Sequence, residues 1–467
     1  MLLLFIIIYL LLTIAIGFFA SRYVKNSSDF MQAGRNLPPF INAAALFALW
    51  FGSETVFGAS SRVVQEGLIG VVEDPFGGVL CLVLFGLFFV KKLYRLNLLT
   101  IGDLFRNKYG QRVEIVSSAF MLITFFGYIA AQLIALSIIL EAVTGVDQVY
   151  GILICSVIVT LYTYVGGMWA VSITDFIQSI FIVAGMIILA VFLLSEAGGW
   201  EAAYAKTDPE AFRFLPEREP LSITKWISAW LVLGLGSLAS QDIFQRVNSA
   251  RSEKAAVAST FIGAGLYLVF AMLPLMIALT AKILHPEIDW ASEELDTQSV
   301  IPDIVLKHTP MFVQVLFFGS LLSAVLSTCS GAILAPASIL SENLVKPLSK
   351  KTYSDKQFLW LARVSVLIIS AIATGMAMME NDIYELVSQS SVLGIVSLLV
   401  PMVWALYSKR ATATGAMLSM SIGMASWLVF VNTFSEETAD IAFIPALGIS
   451  ILSMIFGNYY EKVKPVQ

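Results

Sequence analysis

Runs of about 20 apolar residues recur along almost the whole chain and are separated by short charged segments. A helix of that length crosses the hydrocarbon core of a bilayer. We therefore predict an all-α integral membrane protein with about 13 transmembrane helices and no soluble domain. These helices are predicted near residues 2–20, 40–61, 68–90, 113–142, 147–165, 168–195, 223–240, 255–284, 311–342, 357–379, 383–407, 412–433 and 440–459.

The composition agrees with this pattern, because 58% of the 467 residues are hydrophobic, more than a soluble core of this size needs. The first run, 2–20, has no positively charged segment before it and no clear small-residue cleavage site after it. We expect it to be a retained helix and not a signal peptide. The three cysteines fall inside apolar runs, so we expect no structural disulfide.

The charged residues predict the orientation. Acidic residues cluster in three intervening segments, 196–219, 287–303 and 436–440. The basic residues that fall on alternate loops are Arg22, Lys25, Arg35, Lys91, Lys92, Arg95, Arg106, Lys108, Arg112, Arg246, Arg251, Lys254, Lys346, Lys350, Lys351, Lys356, Lys409, Arg410, Lys462 and Lys464. Basic loops stay in the cytoplasm, so an odd number of spans places the N-terminus outside and the C-terminus inside. We expect a multi-pass protein of the cytoplasmic cell membrane.

The second predicted span is interrupted by polar residues at mid-depth, where Gly52, Ser53 and Glu54 follow one another. Unwound backbone at that depth lines a cavity or is buried in protein, and its free carbonyls can coordinate a cation. Close helix packing also explains glycine and serine, but a carboxylate favours a polar interior.

The seventh predicted span has a similar interruption, with Gly234, Gly236, Ser237 and Ser240. Two broken spans that lie five spans apart are typical of an inverted five-plus-five repeat.

Two further groups could bind a cation. Ser327, Thr328 and Ser330 lie within one turn of the ninth span, and with the carbonyl of Ala324 they offer hard oxygen ligands to an alkali ion. The alternative is that these hydroxyls bond to their own helix. Asp175, near the cytoplasmic end of the sixth span, is either a capping or interfacial acid or a cation ligand, and its position favours the cap.

Six segments, in order along the chain, resemble the sodium:solute symporter family, whose members include sodium-coupled proline, sialic acid, sugar and choline transporters. They are residues 30–35 (FMQAGR), 102–110 (GDLFRNKYG), 166–178 (GGMWAVSITDFIQ), 240–246 (SQDIFQR), 323–330 (SAVLSTCS) and 409–416 (KRATATGA).

The resemblance implies one transmembrane domain over residues 1–467 with a LeuT-type core and sodium-driven alternating access. Its two inverted repeats would cover about 40–195 and 223–407, with peripheral helices at 2–20, 412–433 and 440–459.

The resemblance also implies ligands for sodium. The main site would use the carbonyls of Ala48, Phe51 and Ala324 with the hydroxyls of Ser327 and Thr328. A second sodium, present in some members, would use Asp175 and Ser330, but Gly331 stands where a second serine is expected.

The solute is expected beside the break in the second span. The residues that we predict to bind it are Trp50, Ser53, Glu54, Tyr128, Gln132 and Ser237. Aromatic faces and a carboxylate suit an organic cation such as choline, and residues 161–167 and 244–247 are similar to the choline-transporter branch. The aromatic residues could equally be packing residues, and Ser240 replaces an expected aromatic, so proline or another small amino acid fits as well.

Other function classes have less support. An enzyme would need titratable or metal-binding groups at a reaction centre, and the only histidines, His285 and His308, fall on a predicted external loop. We therefore predict no catalytic residue, no cofactor and no metal except sodium. The expected partners are a small organic solute, sodium and the lipid bilayer, without nucleic acid. A proton-coupled transporter, with Asp175 or Glu54 titrating, and a transporter-like sensor are the alternatives.

Overall fold

The computed structural model describes residues 2–290, 295, 297–349, 351–379 and 382–463. Lys350 and Lys464 of the predicted cytoplasmic loops, and residues 291–294 and 296 of an acidic segment, lie outside the described residues. The described part is helical throughout and contains no strand, apart from one isolated parallel bridge between Leu37 and Ala250. The prediction of an all-α protein is therefore confirmed for this part.

The helices follow the predicted spans closely, and short 3₁₀ or π turns connect several of them. In chain order the α-helices are α1 (Leu2–Ala20), α2 (Ser27–Gln32), α3 (Pro39–Trp50), α4 (Ala59–Glu66), α5 (Gly78–Leu84), α6 (Val90–Leu96), α7 (Ile101–Tyr109), α8 (Gln111–Thr144), α9 (Gln148–Glu196), α10 (Trp200–Lys206), α11 (Pro220–Gly236), α12 (Gln241–Ser249), α13 (Glu253–Phe270), α14 (Met272–Leu284), α15 (Thr297–His308), α16 (Met311–Ile339), α17 (Lys346–Ser349), α18 (Asp355–Ala377), α19 (Ile383–Gly394), α20 (Val400–Tyr407), α21 (Ala413–Thr433) and α22 (Phe443–Val463).

By length and composition, 11 helical segments of the described chain can cross a membrane, fewer than the predicted 13. Two of these segments are too long for one crossing. The 49 residues of α9 would extend roughly 74 Å, more than twice the hydrocarbon thickness, and the backbone leaves helical geometry at Gly167 (φ 51°, ψ −147°). The segment Glu54–Leu96 is likewise interrupted at Gly67 and Asp74. Dividing each of these two segments at its interruption would give 13 spans, and that count stays a prediction.

The predicted cytoplasmic loops lie against one another. Arg95 forms an ion pair with Glu253 at 2.7 Å, and the Lys108 ammonium donates to the carbonyl of Ser408 at 2.7 Å. The carbonyl of Tyr94 accepts a hydrogen bond from Arg35. These contacts gather loops that lie far apart in sequence, as expected if they share one side of the membrane.

Two predicted external loops also meet. A Cβ on Gly67 would lie 2.8 Å from the backbone of Ala211, and the Lys282 ammonium, near the external end of its predicted span, donates to the carbonyl of Val64 at 2.5 Å. If each predicted span connects one group of loops to the other, the two groups are expected at opposite ends of the molecule.

Helix α16 forms the centre of the bundle and packs against α9, α8 and α1. From Phe317 to Ile339 every residue of α16 is buried. Helix α1, in contrast, exposes Leu4, Leu11 and Phe18, as expected of a peripheral helix that faces lipid. The sequence placed the hydroxyl cluster of the ninth span on α16, and that cluster therefore lies in the protein interior.

The close contact between α9 and α16 depends on Gly185. A Cβ atom at this position would lie 2.1 Å from the Ser320 hydroxyl and 2.5 Å from the Leu316 carbonyl. We expect Gly185→Ala to cost about 1–3 kcal/mol, because the helices must move apart. Gly375→Ala is the control, since Gly375 is exposed on α18 and its Cβ would contact nothing within 4 Å. Thermal unfolding of the detergent-purified variants measures both effects, and equal melting temperatures would contradict the packing argument.

Candidate functional site

The predicted break in the second span is confirmed. Helix α3 ends at Trp50, Phe51 is not helical (φ −85°, ψ 65°), and a π turn over Glu54–Gly58 leads into α4. Gly52 lies within this break, and a Cβ there would be 2.7 Å from the Glu54 carboxylate. Only glycine allows the carboxylate to approach the unwound backbone so closely.

The predicted break in the seventh span is also confirmed. Helix α11 ends at Gly236, a 3₁₀ turn covers Ser237–Ala239, and Ser240 is extended (φ −85°, ψ 136°) before α12 begins. A Cβ on Gly236 would be 2.6 Å from the Ser391 carbonyl of α19. The two breaks therefore occur where glycine permits close contact.

A small cavity lies between the two breaks, with about 50 Å³ of room for the centre of a water molecule. Its wall combines aromatic rings, two carboxylates and several hydroxyls, with apolar residues between them. The lining residues are Leu49, Trp50, Glu54, Thr124, Phe125, Tyr128, Leu233, Gly236, Ser237, Ala239, Ser240, Asp242, Ile243, Val387, Ser390, Ser391, Gly394 and Leu398. Four of the six residues predicted to bind solute are among them, namely Trp50, Glu54, Tyr128 and Ser237.

The other two predicted residues, Ser53 and Gln132, lie behind the wall and hold Glu54. The Gln132 side-chain NH₂ donates to Glu54 Oε2 at 3.0 Å, and its carbonyl oxygen accepts from the Ser53 backbone N–H at 3.0 Å. The Ser53 hydroxyl donates to the same carboxylate oxygen at 3.3 Å. These two residues therefore position the carboxylate and do not face the cavity.

The residues predicted to hold the main sodium lie where α3 crosses α16. The Thr328 hydroxyl is 2.8 Å from the Ala48 carbonyl and 3.2 Å from the Ala324 carbonyl. Phe51 is the first non-helical residue beyond α3. The Ser327 hydroxyl instead donates to the Asp175 carboxylate at 2.5 Å. Sodium binding by these five residues stays a prediction.

Asp175 is not a helix cap, and this part of the sequence interpretation is wrong. Its carboxylate accepts from Ser327 and forms an ion pair with Arg246 at 3.3 Å, deep inside the protein. The Arg246 side chain is 1% exposed and also donates to the Ala45 carbonyl at 3.0 Å. A fixed positive charge therefore lies next to the intramembrane carboxylate.

The same arginine explains why Gly331 replaces the expected serine. A Cβ on Gly331 would lie 2.2 Å from a terminal nitrogen of the Arg246 guanidinium, so a side chain there would require the guanidinium to move. The Ser330 hydroxyl donates back to the carbonyl of Ser327 at 2.8 Å, as in the self-bonding alternative. A second sodium on Asp175 and Ser330 stays a prediction.

Sequence reasoning missed several residues of this region. Arg246 and Asp242 lie in the segment 240–246, which resembles the family. Nothing in the sequence indicated that Arg246 pairs with Asp175 or that Asp242 lines the cavity. Asp74 was detectable, because it is a carboxylate inside the apolar third span, as Glu54 is in the second. Tyr267 of α13, whose hydroxyl contacts the Asp74 carboxylate and lies 2.7 Å from the Thr55 hydroxyl, gave no signal, because these contacts join distant helices.

The model of the sodium:solute symporter family matches residues 30–423. The chain belongs to this family. The symporter is 27% identical to the high affinity choline transporter 1 of Homo sapiens over 442 residues, which cover 90% of this chain and 75% of that protein. It is also 27% identical to the high-affinity proline transporter PutP of Bacillus subtilis over 459 residues, 94% of each chain.

A solved structure described as the substrate-bound outward-open state of a sodium-coupled sialic acid symporter has the same fold. It superimposes with a TM-score of 0.81 at 17% identity and covers 100% of this chain and 98% of its own. The protein is therefore a multi-pass sodium:solute symporter, and the family recognised from the sequence is confirmed.

The predicted main sodium site can be tested without knowing the solute. Thr328→Ala removes the hydroxyl that contacts two carbonyls of the site, so we expect the sodium concentration for half-maximal thermal stabilisation to rise on the order of tenfold. The titration is made at constant total chloride, with N-methyl-D-glucamine replacing sodium.

Ser320→Ala is the matched control for Thr328→Ala. The Ser320 hydroxyl is on the same helix and donates only to carbonyls of that helix. A normal sodium response of Thr328→Ala would contradict the assignment.

Proposed function

We propose that this symporter imports a small organic cation of the choline type together with sodium, by alternating access. The observation that carries the proposal is the wall of the central cavity. It presents the carboxylates of Glu54 and Asp242 and the rings of Trp50 and Tyr128, and its lining residues include no lysine, arginine or histidine.

The charge of the cavity favours a cation over a zwitterion. Glu54 is 3% exposed and receives hydrogen bonds only from neutral groups in the described structure, so a bound cation would lower the cost of its charge. A quaternary ammonium would also be attracted to the faces of the aromatic rings.

An amino-acid carboxylate has no evident partner in the cavity. The start of α12 could attract an anion, but Asp242 already occupies it, because its carboxylate accepts from the Ile243 backbone N–H at 2.7 Å and from the Ser240 hydroxyl at 2.5 Å. Similarity to both choline and proline transporters leaves proline as the second candidate, supported by the PutP relative.

We further propose 13 spans, an N-terminus outside and a C-terminus inside, with the inverted repeats at 40–195 and 223–407. The break of α9 at Gly167 and the interruptions between Glu54 and Leu96 support the count. The contacts between basic loops, Arg95 with Glu253 and Lys108 with Ser408, support the orientation.

Glu54→Gln tests the solute. In saturating sodium we expect choline to stabilise the wild-type protein and proline not to, and we expect the variant to bind choline at least about 10-fold more weakly, because the neutral amide loses the ionic attraction. Radiolabelled choline binding and thermal shift measure the two effects.

Glu66→Gln is the control for Glu54→Gln, since Glu66 is an exposed acid at the external end of α4. Stabilisation by proline and not by choline would overturn the organic-cation proposal in favour of the amino acid.

Cysteine labelling tests the orientation. We expect Glu437→Cys to react with a membrane-impermeant maleimide on intact cells, and Lys409→Cys to react only after permeabilisation, because the two exposed positions lie on opposite sides in the proposed topology. The native cysteines are buried and give the background. The reverse pattern would show the opposite orientation.

A further inference from the structure

An oxygen cluster lies directly behind the Trp50 wall of the cavity and is separate from the predicted sodium ligands. Three elements contribute to it: Thr55 follows the break of α3, Asp74 lies at the non-helical point of the third span, and Tyr267 projects from α13. The fourth member is the backbone carbonyl of Trp50. All three side chains are fully buried.

The oxygen atoms of the cluster are in close contact. The Thr55 hydroxyl is 2.8 Å from one Asp74 carboxylate oxygen, 2.7 Å from the Tyr267 hydroxyl and 3.0 Å from the Trp50 carbonyl. The Tyr267 hydroxyl also contacts the other oxygen of the Asp74 carboxylate. Five oxygen atoms therefore make four close contacts.

Too few hydrogens are available for these contacts. With Asp74 ionised, only the hydroxyls of Thr55 and Tyr267 carry a hydrogen, so two of the four contacts bring lone pairs together. A proton on Asp74 would add one hydrogen and still leave one contact without any. A cation among the oxygens removes this conflict, because each oxygen can then direct a lone pair to it.

The charge of Asp74 gives a second, independent argument. Among the described residues no lysine, arginine or histidine forms an ion pair with Asp74 or with the neighbouring Glu54, whereas Asp175 has Arg246. An isolated carboxylate in the membrane interior is costly. The cluster therefore has both the ligands and the unbalanced negative charge of a cation site.

We propose that Asp74, Thr55, Tyr267 and the Trp50 carbonyl bind a sodium ion. One carboxylate with neutral oxygens suits a monovalent ion, since magnesium and calcium prefer sites richer in carboxylate or water. The absence of histidine and cysteine from the cluster disfavours transition metals.

This inference rests on the proposed function, because the ion would act at the same solute cavity. Its ligands Trp50 and Thr55 lie on the two sides of the α3 break, and Trp50 and Glu54 line the cavity. Sodium at the cluster would hold the two ends of the break together and fix the wall that receives the solute. The ion would therefore bind before the solute and raise its affinity.

Equilibrium binding of ²²Na⁺ to the purified full-length protein tests the proposal. We expect Asp74→Asn to bind one sodium ion fewer than the wild type, while its melting temperature in sodium-free N-methyl-D-glucamine chloride is equal or higher. The amide adds hydrogens to the crowded cluster and removes the isolated charge, so the fold is retained without the ion.

Glu73→Gln is the matched control for Asp74→Asn, because Glu73 is the neighbouring carboxyl group of the same segment and has no contact with the cluster oxygens. It should bind as much sodium as the wild type. Tyr267→Phe and Thr55→Val each remove one neutral ligand, and we expect each to weaken sodium binding roughly tenfold. If Asp74→Asn does not fold, Tyr267→Phe and Thr55→Val test the proposed sodium site in its place.

The outcomes separate this inference from the proposed function. Unchanged sodium binding in Asp74→Asn, or in both Tyr267→Phe and Thr55→Val, would show that the cluster does not bind sodium and would overturn the inference. Sodium binding at the predicted main site and choline binding in the cavity would then remain intact. A wild-type protein that binds no sodium in any condition would overturn the proposed function itself.

Discussion

A carboxylate in the interior of a membrane protein needs a partner, and this requirement governs the centre of the symporter. Four acids surround the two helix breaks: Glu54, Asp74, Asp175 and Asp242. Water cannot solvate them at that depth, so each depends on hydrogen-bond donors or on a positive charge. Arg246 forms an ion pair with Asp175 and lies one helical turn from Asp242. Glu54 and Asp74 receive bonds only from neutral groups in the described structure.

The four carboxylates therefore differ in how their charge is balanced: Asp175 pairs with a cation that belongs to the chain, whereas Glu54 and Asp74 could pair only with mobile cations. The guanidinium of Arg246 belongs to the chain, and it also donates to the Ala45 carbonyl, so it ties α12 to both α9 and α3. Among the described residues, Glu54 and Asp74 have no such partner; Glu54 lines the cavity, and Asp74 lies behind the Trp50 wall. In our proposal, mobile cations complete these two sites.

The helix breaks connect the sites to one another. Two backbone groups of this region, the Ala48 carbonyl and the Ser53 N–H, bond to Thr328 of α16 and Gln132 of α8, and the Thr55 hydroxyl contacts Tyr267 of α13. A cation bound on either side of the break would change the conformation of the same few unwound residues. Binding at one site can therefore change the geometry of the neighbouring site directly, without coupling through a long series of intervening residues.

Local features of the sequence predicted the spans, the two breaks and four residues of the cavity wall. The length of an apolar run, and a glycine close to a carboxylate within it, are properties of a short segment. They can therefore be recognised in the sequence without knowledge of the fold. Pairings between distant helices were not predictable in this way. Asp175 meets Arg246 across 71 positions of sequence, and Thr55 meets Tyr267 across 212. Gln132 and Ser53 were predicted to bind the solute, and only the packing shows that they bond to Glu54 and do not line the cavity.

Gly331 shows how a contact between distant residues, here Arg246 and Asp175, changes the interpretation of a sequence motif. From the sequence alone, glycine in place of serine is the loss of one ligand from a possible second sodium site. In the structure the missing side chain makes space for the Arg246 guanidinium beside Asp175. In this structure the guanidinium balances the Asp175 carboxylate, so Asp175 does not need an ion to offset its charge. Asp74 has no such partner among the described residues, and a sodium ion there would balance a charge that the chain itself leaves unpaired.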